Sequence, residues 1–453
     1  MRNNGLNIRI NRQTIKLPNL MKYALLYLSG TVFMFFFGPI TWKVKNPGII
    51  LFYLILYNVA LGFGYWIGIR RVRTKEENKP VSCHNLSKTG SQRITQLLVL
   101  GIFFDILMII RMANTLNISE ILSKMINGLV APAMQYSIYF QEATAGNLYG
   151  GSIFSLFITL GAPICVAGII LAVFFYKDLS ASSKVACWIL VTLHFGSKLI
   201  SSANEGIFDL AIYIGVSVYM RAINENLTSK RGNISKKWRM LLVIVLGIIL
   251  VGIALTYFKN NIMGRTLGNF TFGTLGENYY DPNSGINKYI PEPLFIVFVY
   301  LIAYLCQGYY GFSLSTLVDW VPMFGMGFSS FLRRNVSDIL GVDLFELSYQ
   351  KRIESVANWG GLKNFHSAYT FWANDVTRFG VIFVMFFIGY KFSSYYHDCV
   401  VKCKMTSIVM MPLMVTLILY LPMNNKIFVQ PTSFLLIMYI FLINFYNKHK
   451  HRR

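Results

Sequence analysis

The chain has 453 residues, of which 55% are hydrophobic and only 13% are charged, with a mean hydropathy of +0.49. Soluble proteins carry about a quarter charged residues, so this composition excludes an ordinary soluble protein and predicts an integral membrane protein. The formal net charge is +23. Because most Lys and Arg residues lie between apolar segments, membrane topology and anionic lipid explain this surplus before nucleic acid does. We therefore expect membrane lipids, and no nucleic acid, as partners.

Runs of about 17 to 25 apolar residues mark helices that cross a membrane. The first run is followed by no small-residue cleavage site, so we interpret it as a retained helix and not as a signal peptide. No internal repeat, nucleotide-binding motif or soluble domain interrupts the pattern, which predicts one all-α polytopic membrane domain over residues 1–453. About twelve helices are predicted, near residues 22–40, 48–69, 94–112, 152–176, 185–202, 206–220, 239–258, 292–308, 311–330, 376–392, 406–422 and 428–446.

Lys and Arg are concentrated in four stretches of the chain. Residues 70–93 hold seven of them, residues 221–239 hold six, the N-terminus through Lys22 holds five, and the tail 448–453 holds four. Loops rich in Lys and Arg remain in the cytoplasm, so both termini are predicted to be cytoplasmic. Three long segments then fall on the outer side: 113–151, 259–291 and 331–375.

The stretch 291–332 allows two interpretations. It can form one membrane helix and a surface segment, or a hairpin of two helices that turns at Gln307. With both termini on one side, the number of crossings must be even. This parity favours the hairpin.

The outer segment 259–291 carries an arginine and, further along, a glycine. Arg265 can direct two parallel hydrogen bonds at a phosphate or carboxylate, and Gly276 allows the backbone to approach a bulky ligand. The alternative is an interfacial arginine that binds lipid headgroups. The spacing alone does not decide between these interpretations.

The outer segment 331–375 is the strongest candidate for a catalytic face. Loops between membrane helices are usually short, whereas this one is long, basic and aromatic. It begins with Arg333 and Arg334, continues with Arg352 and His366, and leads to Arg378 in the next helix. A histidine with a near-neutral pKa can take a proton from a sugar hydroxyl, whereas the alternative is a histidine that only holds the loop. Arg333 and Arg334 can also simply reach lipid headgroups.

Two aromatic residues of this segment, Trp359 and Tyr369, suit stacking on sugar rings. Aromatic side chains also form an ordinary belt at membrane boundaries, and that alternative stays open.

The predicted membrane helices carry few ionisable residues, and Asp105, His194 and Lys198 are functional candidates by default. Lys198 can equally form a structural ion pair with Glu205.

The sequence indicates no metal site and no disulfide framework. The six cysteines form no CxxC motif, and three of them lie in apolar runs. His397, Cys399 and Cys403 are close enough in sequence to suggest a metal, but a solvated loop is the better interpretation. The acids of the two outer segments form no tight pair, so we expect no metal and no cofactor.

The order of many helices, a basic outer segment, a larger late outer segment with His366-Ser-Ala-Tyr-Thr and Asp375-Val-Thr-Arg-Phe-Gly, and closing helices resembles the Wzy-type oligosaccharide repeat-unit polymerases. The same broad group includes the O-antigen ligases. The resemblance covers the layout of the whole chain, but only residues 260–280 and 330–380 in motif. It implies a membrane glycosyltransferase of the helical (GT-C) type in the bacterial inner membrane.

The resemblance also implies substrates, partners and roles for residues. The substrates are undecaprenyl-pyrophosphate-linked oligosaccharides on the periplasmic face, and a chain-length regulator protein is a candidate partner. Arg265 with Gly276 matches the arginine and glycine of the earlier periplasmic loop, and His366 occupies the position of the essential histidine of the ligases. We assign Arg265 and Arg378 to the pyrophosphate and Arg352 to a third contact. Trp359 and Tyr369 would hold sugar rings, and Arg333 and Arg334 would assist substrate binding.

Three alternatives remain beside a polymerase of O-antigen or capsular polysaccharide. An O-antigen ligase performs the same chemistry on a different acceptor. A lipid-linked oligosaccharide flippase or other transporter also has about twelve helices, but would carry charged residues deep in its membrane helices. A membrane scaffold without catalysis is the last alternative.

Overall fold

The computed structural model describes residues 6–10, 13–75, 86–145, 148–202, 204–228, 277–361 and 364–450. In this part of the chain the regular structure is helical apart from four short strands, β1 (Leu6–Ile10), β2 (Gln13–Leu17), β3 (Ile40–Thr41) and β4 (Tyr279–Tyr280). The helices of the described residues are α1 (Leu20–Phe37), α2 (Pro47–Lys75), α3 (Lys88–Ala113), α4 (Ile118–Val130), α5 (Pro132–Thr144), α6 (Gly151–Phe174), α7 (Ala181–Ser201), α8 (Asn204–Thr228), α9 (Glu292–Leu314), α10 (Ser330–Leu340), α11 (Tyr349–Ala357), α12 (Ala368–Val400), α13 (Met405–Tyr420), α14 (Lys426–Val429) and α15 (Pro431–Lys450).

Within these residues, seven helices are long and apolar enough to cross a membrane, namely α1, α2, α3, α6, α8, α9 and α12. This confirms a multi-pass membrane protein of the all-α class. Helix α13 is apolar but shorter, with 16 residues. The predicted span at 239–258 lies outside the described residues. The outer segment 113–151 contains two helices, α4 and α5, that the hydropathy profile did not predict.

The predicted hairpin in 291–332 is wrong. Helix α9 continues through Gln307 to Leu314, and a short 3₁₀ turn and an irregular segment, 318–329, follow it. The reason is the role of Gly308, which is a packing residue and not a turn residue. A Cβ at this position would overlap the carbonyl oxygen of Pro422, so only glycine allows α9 to pass so close to that backbone.

The chain divides into two compact units, where the sequence predicts a single domain. Unit 1 comprises residues 1–80, 270–398 and 413–434, and unit 2 comprises residues 81–269, 399–412 and 435–453. Both units consist mainly of apolar helices, which explains why hydropathy marks no boundary between them. Unit 2 is built around α3, which packs against α6 and α7.

In unit 1, α2 and α12 run parallel and approach each other closely. The hydroxyl of Tyr57 donates to the carbonyl of Arg378 at 2.6 Å, and about two turns further along both helices Gly64 lies against Phe386. A Cβ on Gly64 would overlap the carbonyl oxygen of Phe386. Small residues at such a contact allow membrane helices to pack through their backbones.

The segment between α1 and α2 contacts two other connecting segments of unit 1. Strand β3, which follows α1, pairs with β4 of the predicted outer segment 259–291. The amide of Asn46, just before α2, donates to the hydroxyl of Thr316, just after α9, at 3.0 Å. The segment between α1 and α2 therefore contacts residues that precede α9 in the chain and a residue that follows it.

The predicted catalytic segment 331–375 is largely helical. It contains α10 and α11, and its last residues form the first turns of α12. Helix α12 is interrupted at Thr377, whose φ of 64° and ψ of 167° are not helical. A β-branched residue at positive φ is strained, so the surrounding contacts must hold this break in place.

Candidate functional site

A polar cavity of about 710 Å³ lies in unit 1 between α10, the turn that follows it, and the segment before α12. Its wall combines charged, amide and hydroxyl side chains with a few apolar residues. It is lined by Ser330, Arg333, Arg334, Ser337, Asp338, Gly341, Val342, Asp343, Phe345, Gln350, Gly361, Asn364, Phe365, His366, Phe371, Asn424 and Val429. Three predicted site residues, Arg333, Arg334 and His366, therefore lie in one cavity.

Arg333 is the charged residue of the cavity floor. Helix α10 begins after Ser329, whose hydroxyl accepts from the amide of Leu332, and this cap directs Arg333 inward. The side chain is 5% exposed, and its guanidinium lies over the ring of Phe345 at 4.8 Å. Its Nη1 atom is buried without a hydrogen bond to any described residue. Burial lowers the pKa of Arg333 to about 10, so the side chain remains a cation at neutral pH.

His366 lies in the same cavity and is 2% exposed. Neither ring nitrogen makes a hydrogen bond of ordinary geometry with a described residue. Gly311 of α9 makes room for the ring, because a Cβ there would lie 2.9 Å from Nδ1. Burial lowers the pKa of His366 to about 3, and a weak interaction with the backbone of Trp359 offsets this only in part. The imidazole is therefore neutral, and it can both donate and accept a hydrogen bond.

The rim of the cavity is exposed and carries both signs of charge. Arg334 and Asp338 belong to α10, and Asp343 belongs to the turn after it. Asp343 also accepts a hydrogen bond from the amide of Phe345 at 2.8 Å, which shapes this turn. Neither acid was singled out from the sequence, because isolated Asp residues in a polar segment carry no distinguishing pattern.

Two predicted pyrophosphate arginines do not line the cavity. Arg378 follows the break in α12 and donates to the carbonyl of Ser315 at 2.7 Å. Arg352 of α11 donates to the carbonyl of Asp319 at 2.7 Å. Both guanidinium groups therefore hold the segment that follows α9. Their predicted contact with pyrophosphate stays a prediction.

The predicted sugar-stacking residues are buried among other rings. Trp359 packs edge-on against Tyr310 at 4.8 Å, and Tyr369 lies 4.8 Å from the ring of Tyr57. Each of the two side chains is 1% exposed. Both rings therefore pack in the protein interior, and their predicted contact with sugar rings stays a prediction. The physical reason is that apolar rings next to membrane helices gain more by packing together than by facing water.

Arg265 and Gly276 lie outside the described residues, so their predicted contact with pyrophosphate stays a prediction. The same applies to the part of the outer segment that precedes Glu277.

A polar junction next to the cavity lies in the second turn of α12. Asn374 accepts from the amide of Tyr349 at 2.7 Å and thereby fixes the start of α11. The carboxylate of Asp375 accepts from the amides of Gly325, Gly327 and Phe328 at 2.8 to 3.1 Å. The Asp375 motif therefore organises the loop between α9 and α10 instead of contacting a ligand.

Unit 2 contains a buried pair of ionisable residues, Asp105 and His194. Nδ1 of His194 on α7 lies 3.0 and 3.1 Å from the two carboxyl oxygens of Asp105 on α3. Asp105 is 0% exposed, and the thiol of Cys165 on α6 donates to the carbonyl of Gly101, one turn before Asp105. Ionisable side chains buried among apolar helices are functional candidates.

The remaining metal and cysteine candidates do not converge. In the described part of the chain, no three His, Cys, Asp or Glu side chains are grouped as a metal site. His397 lies 3.5 Å from Asp398, and Cys399 is a buried free thiol. Cys403 is disulfide-bonded, a bond that the sequence did not predict.

Comparison of the chain with protein-family models, with curated proteins and with solved structures finds no match.

Proposed function

We propose that the protein is a membrane glycosyltransferase that polymerises undecaprenyl-pyrophosphate-linked oligosaccharide repeat units into O-antigen or capsular polysaccharide. The reaction takes place at the periplasmic face of the bacterial inner membrane, with both termini in the cytoplasm. The observation that carries this proposal is the cavity that contains both Arg333 and His366, in which Nη1 of the buried guanidinium and both nitrogens of the neutral imidazole make no hydrogen bond to a described residue. The resemblance of the outer segments to Wzy-type polymerases supplies the substrate class.

The chemistry requires a cation where the leaving group departs. The acceptor hydroxyl oxygen forms a bond to the anomeric carbon of the donor, the bond from that carbon to the pyrophosphate oxygen breaks, and undecaprenyl pyrophosphate leaves with the electron pair. A guanidinium held in place in the cavity stabilises this developing negative charge. Arg333 is suited to this role, and Arg265 is predicted to bind the same pyrophosphate group.

His366 suits the alignment of the acceptor better than strong base catalysis. A base with a pKa of about 3 removes a proton from a ground-state hydroxyl only poorly. In an oxocarbenium-like transition state the hydroxyl becomes acidic as its oxygen bonds to carbon, so a neutral imidazole that accepts its hydrogen bond is sufficient. The proton then passes through the imidazole to water.

The decisive experiment uses purified full-length protein with lipid-linked repeat units in nanodiscs and in excess EDTA. We expect the wild type to form polymer ladders without a metal and His366→Ala to form none. The matched control is His449→Ala, because His449 is exposed near the end of α15. Activity that is lost in EDTA and restored by Mg²⁺ or Mn²⁺ would contradict the metal-free mechanism, and ladders from His366→Ala would contradict the role of His366.

Cells distinguish the polymerase from the ligase. Without polymerase activity, single repeat units are still made and attached to lipid A core. We expect this phenotype from His366→Ala at normal expression. Loss of all surface sugar, single repeats included, would favour the ligase or the flippase.

The pair of Asp105 and His194 favours a second candidate function, transport of a lipid-linked oligosaccharide. Transporters use ionisable residues within their membrane helices to couple protons to movement. Asp105→Asn and His194→Gln test this alternative. A block in lipid-linked substrate crossing the membrane, with intact polymerisation of substrate supplied outside, would support transport.

A further inference from the structure

The floor of the cavity carries three buried polar side chains from three different pieces of unit 1. Arg333 comes from α10, Gln350 from α11 and His366 from the segment before α12. Gln350 is 1% exposed, and its Nε2 atom, like Nη1 of Arg333, is buried without a hydrogen bond to any described residue. Folded proteins leave few such groups unpaired because each loses its water without compensation. Several in one cavity indicate a ligand that accepts hydrogen bonds from them.

The orientation of the Gln350 amide is fixed by a chain of hydrogen bonds. The backbone amide of Tyr349 can only donate, and it donates to Oδ1 of Asn374 at 2.7 Å. Nδ2 of Asn374 is then the donor to Oε1 of Gln350, at 3.1 Å. The Gln350 side chain therefore has its oxygen engaged and its NH₂ group left over as a donor. Sequence analysis did not single out Gln350, because a neutral amide in a short helix belongs to no recognisable motif.

The charged side chains of the cavity lie at two different depths. The buried floor contains the cation Arg333 and the donor Gln350, whereas the acids Asp338 and Asp343 lie on the exposed rim together with Arg334. An anionic group is attracted to the floor and repelled by the two rim carboxylates. Those carboxylates accept hydrogen bonds readily, which suits the hydroxyl groups of a sugar.

We propose that the floor binds one phosphate or pyrophosphate group through Arg333 and Gln350, with the attached sugar directed toward the rim. Gln350 is then a substrate-binding residue of the site. The assignment of this anion to a lipid-linked sugar rests on the proposed function. The anion itself can come from undecaprenyl pyrophosphate or from free pyrophosphate.

The test measures binding to purified full-length protein in nanodiscs by titration calorimetry. Undecaprenyl pyrophosphate in the nanodisc is one probe, and inorganic pyrophosphate in solution is the other. Gln350→Glu keeps the oxygen that accepts from Asn374 and replaces the donor with a carboxylate oxygen. Asn335→Asp is the matched control: it makes the same amide-to-acid change on α10, at an exposed residue that does not line the cavity.

We expect Gln350→Glu to weaken binding at least tenfold and Asn335→Asp less than threefold. A loss for both probes shows that the floor recognises the anion from either source, and a loss for the lipid alone shows that it requires the lipid-linked form. Binding of both probes within threefold of wild type would overturn the inference and leave the proposed function standing. Normal pyrophosphate binding by a wild type that forms no polymer would overturn the function alone, and no binding by wild type would overturn both.

Thermal unfolding of each variant shows whether it folds. If Gln350→Glu does not, Gln350→Met replaces it, because methionine has a similar volume and no donor. The expected loss is again at least tenfold, and binding within threefold of wild type overturns the inference.

Discussion

Asp375, at the start of α12, accepts a 2.8 Å hydrogen bond from the backbone amide of Phe328, which lies 47 residues earlier in the chain. Its other oxygen accepts from Gly325 and Gly327. A carboxylate that satisfies three amides is a structural anchor for the loop that leads into α10, and α10 carries Arg333. The Asp375 motif, which the sequence analysis placed in the candidate catalytic segment, therefore positions the loop that leads to Arg333.

We predict that Asp375→Asn destabilises the protein. The amide side chain must turn an NH₂ group toward at least one backbone N–H, and losing a hydrogen bond to a charged acceptor costs about 1.5–3 kcal/mol. Thermal unfolding in detergent measures this loss. Asp338→Asn is the control, because Asp338 is exposed on the cavity rim. Equal unfolding temperatures for wild type and Asp375→Asn would contradict the anchoring role.

The fold could be predicted from the sequence wherever the signal is local. The apolar stretches that became α1, α2, α3 and α6 are visible because a membrane helix is defined by its own composition and length. The predicted turn at Gln307 failed because Gly308 serves a contact with Pro422, which is distant in the chain. No local pattern distinguishes a packing glycine from a turn glycine.

The site could be predicted only in part, for the same reason. Charge and residue type identified Arg333, Arg334 and His366, which the fold brings into one cavity. Trp359 is buried in the structure, and whether a side chain is buried depends on the whole fold. Gln350 was identified only from the structure, in which its NH₂ group has no hydrogen-bond partner among the described residues.

The close contact between α2 and α12 predicts a cost for adding volume at Gly64. In Gly64→Ala the new methyl group overlaps the carbonyl oxygen of Phe386, so one helix must shift. Overpacking of this kind costs about 1–3 kcal/mol. Gly48→Ala is the control on the same helix, because a Cβ there has no neighbour within 4 Å. If the two variants unfold at the same temperature, the helices are not packed through this glycine.

The topology predicts which residues a membrane-impermeant maleimide can reach in intact cells whose outer membrane is permeable to the reagent. In a background without native cysteines, we expect Lys45→Cys and Asp343→Cys to be labelled from the periplasm and Lys448→Cys to be protected. Asp343 is a better reporter than His366, because Asp343 is exposed and His366 is 2% exposed. Labelling of Lys448→Cys alone would reverse the orientation and move the cavity to the cytoplasm.

Burial of His366 predicts that stability falls in mild acid. Its pKa is about 3 in the folded protein and about 6.5 in an unfolded chain. Between these values the unfolded state binds more protons, so stability is fully present above pH about 6.5 and decreases as the pH falls. The loss approaches about 1.4 kcal/mol per pH unit. Unfolding between pH 5 and 8 should show a shallower slope for His366→Gln than for wild type or His449→Gln, and parallel slopes would mean that water reaches the ring.

Neighbouring arginines on α10 provide the sharpest test of the cavity. Arg333 is buried with its guanidinium over Phe345, whereas Arg334 is exposed on the rim. A lysine at 333 keeps the charge, but its compact, strongly hydrated ammonium cannot form two parallel hydrogen bonds to a phosphate or stack in the same way. We expect Arg333→Lys to reduce polymer formation at least tenfold and Arg334→Lys to leave it within about threefold, as measured by ladder length at matched expression. Full-length ladders from Arg333→Lys would show that the floor needs only a point charge, and equal losses in both variants would point to a general requirement for positive charge on α10.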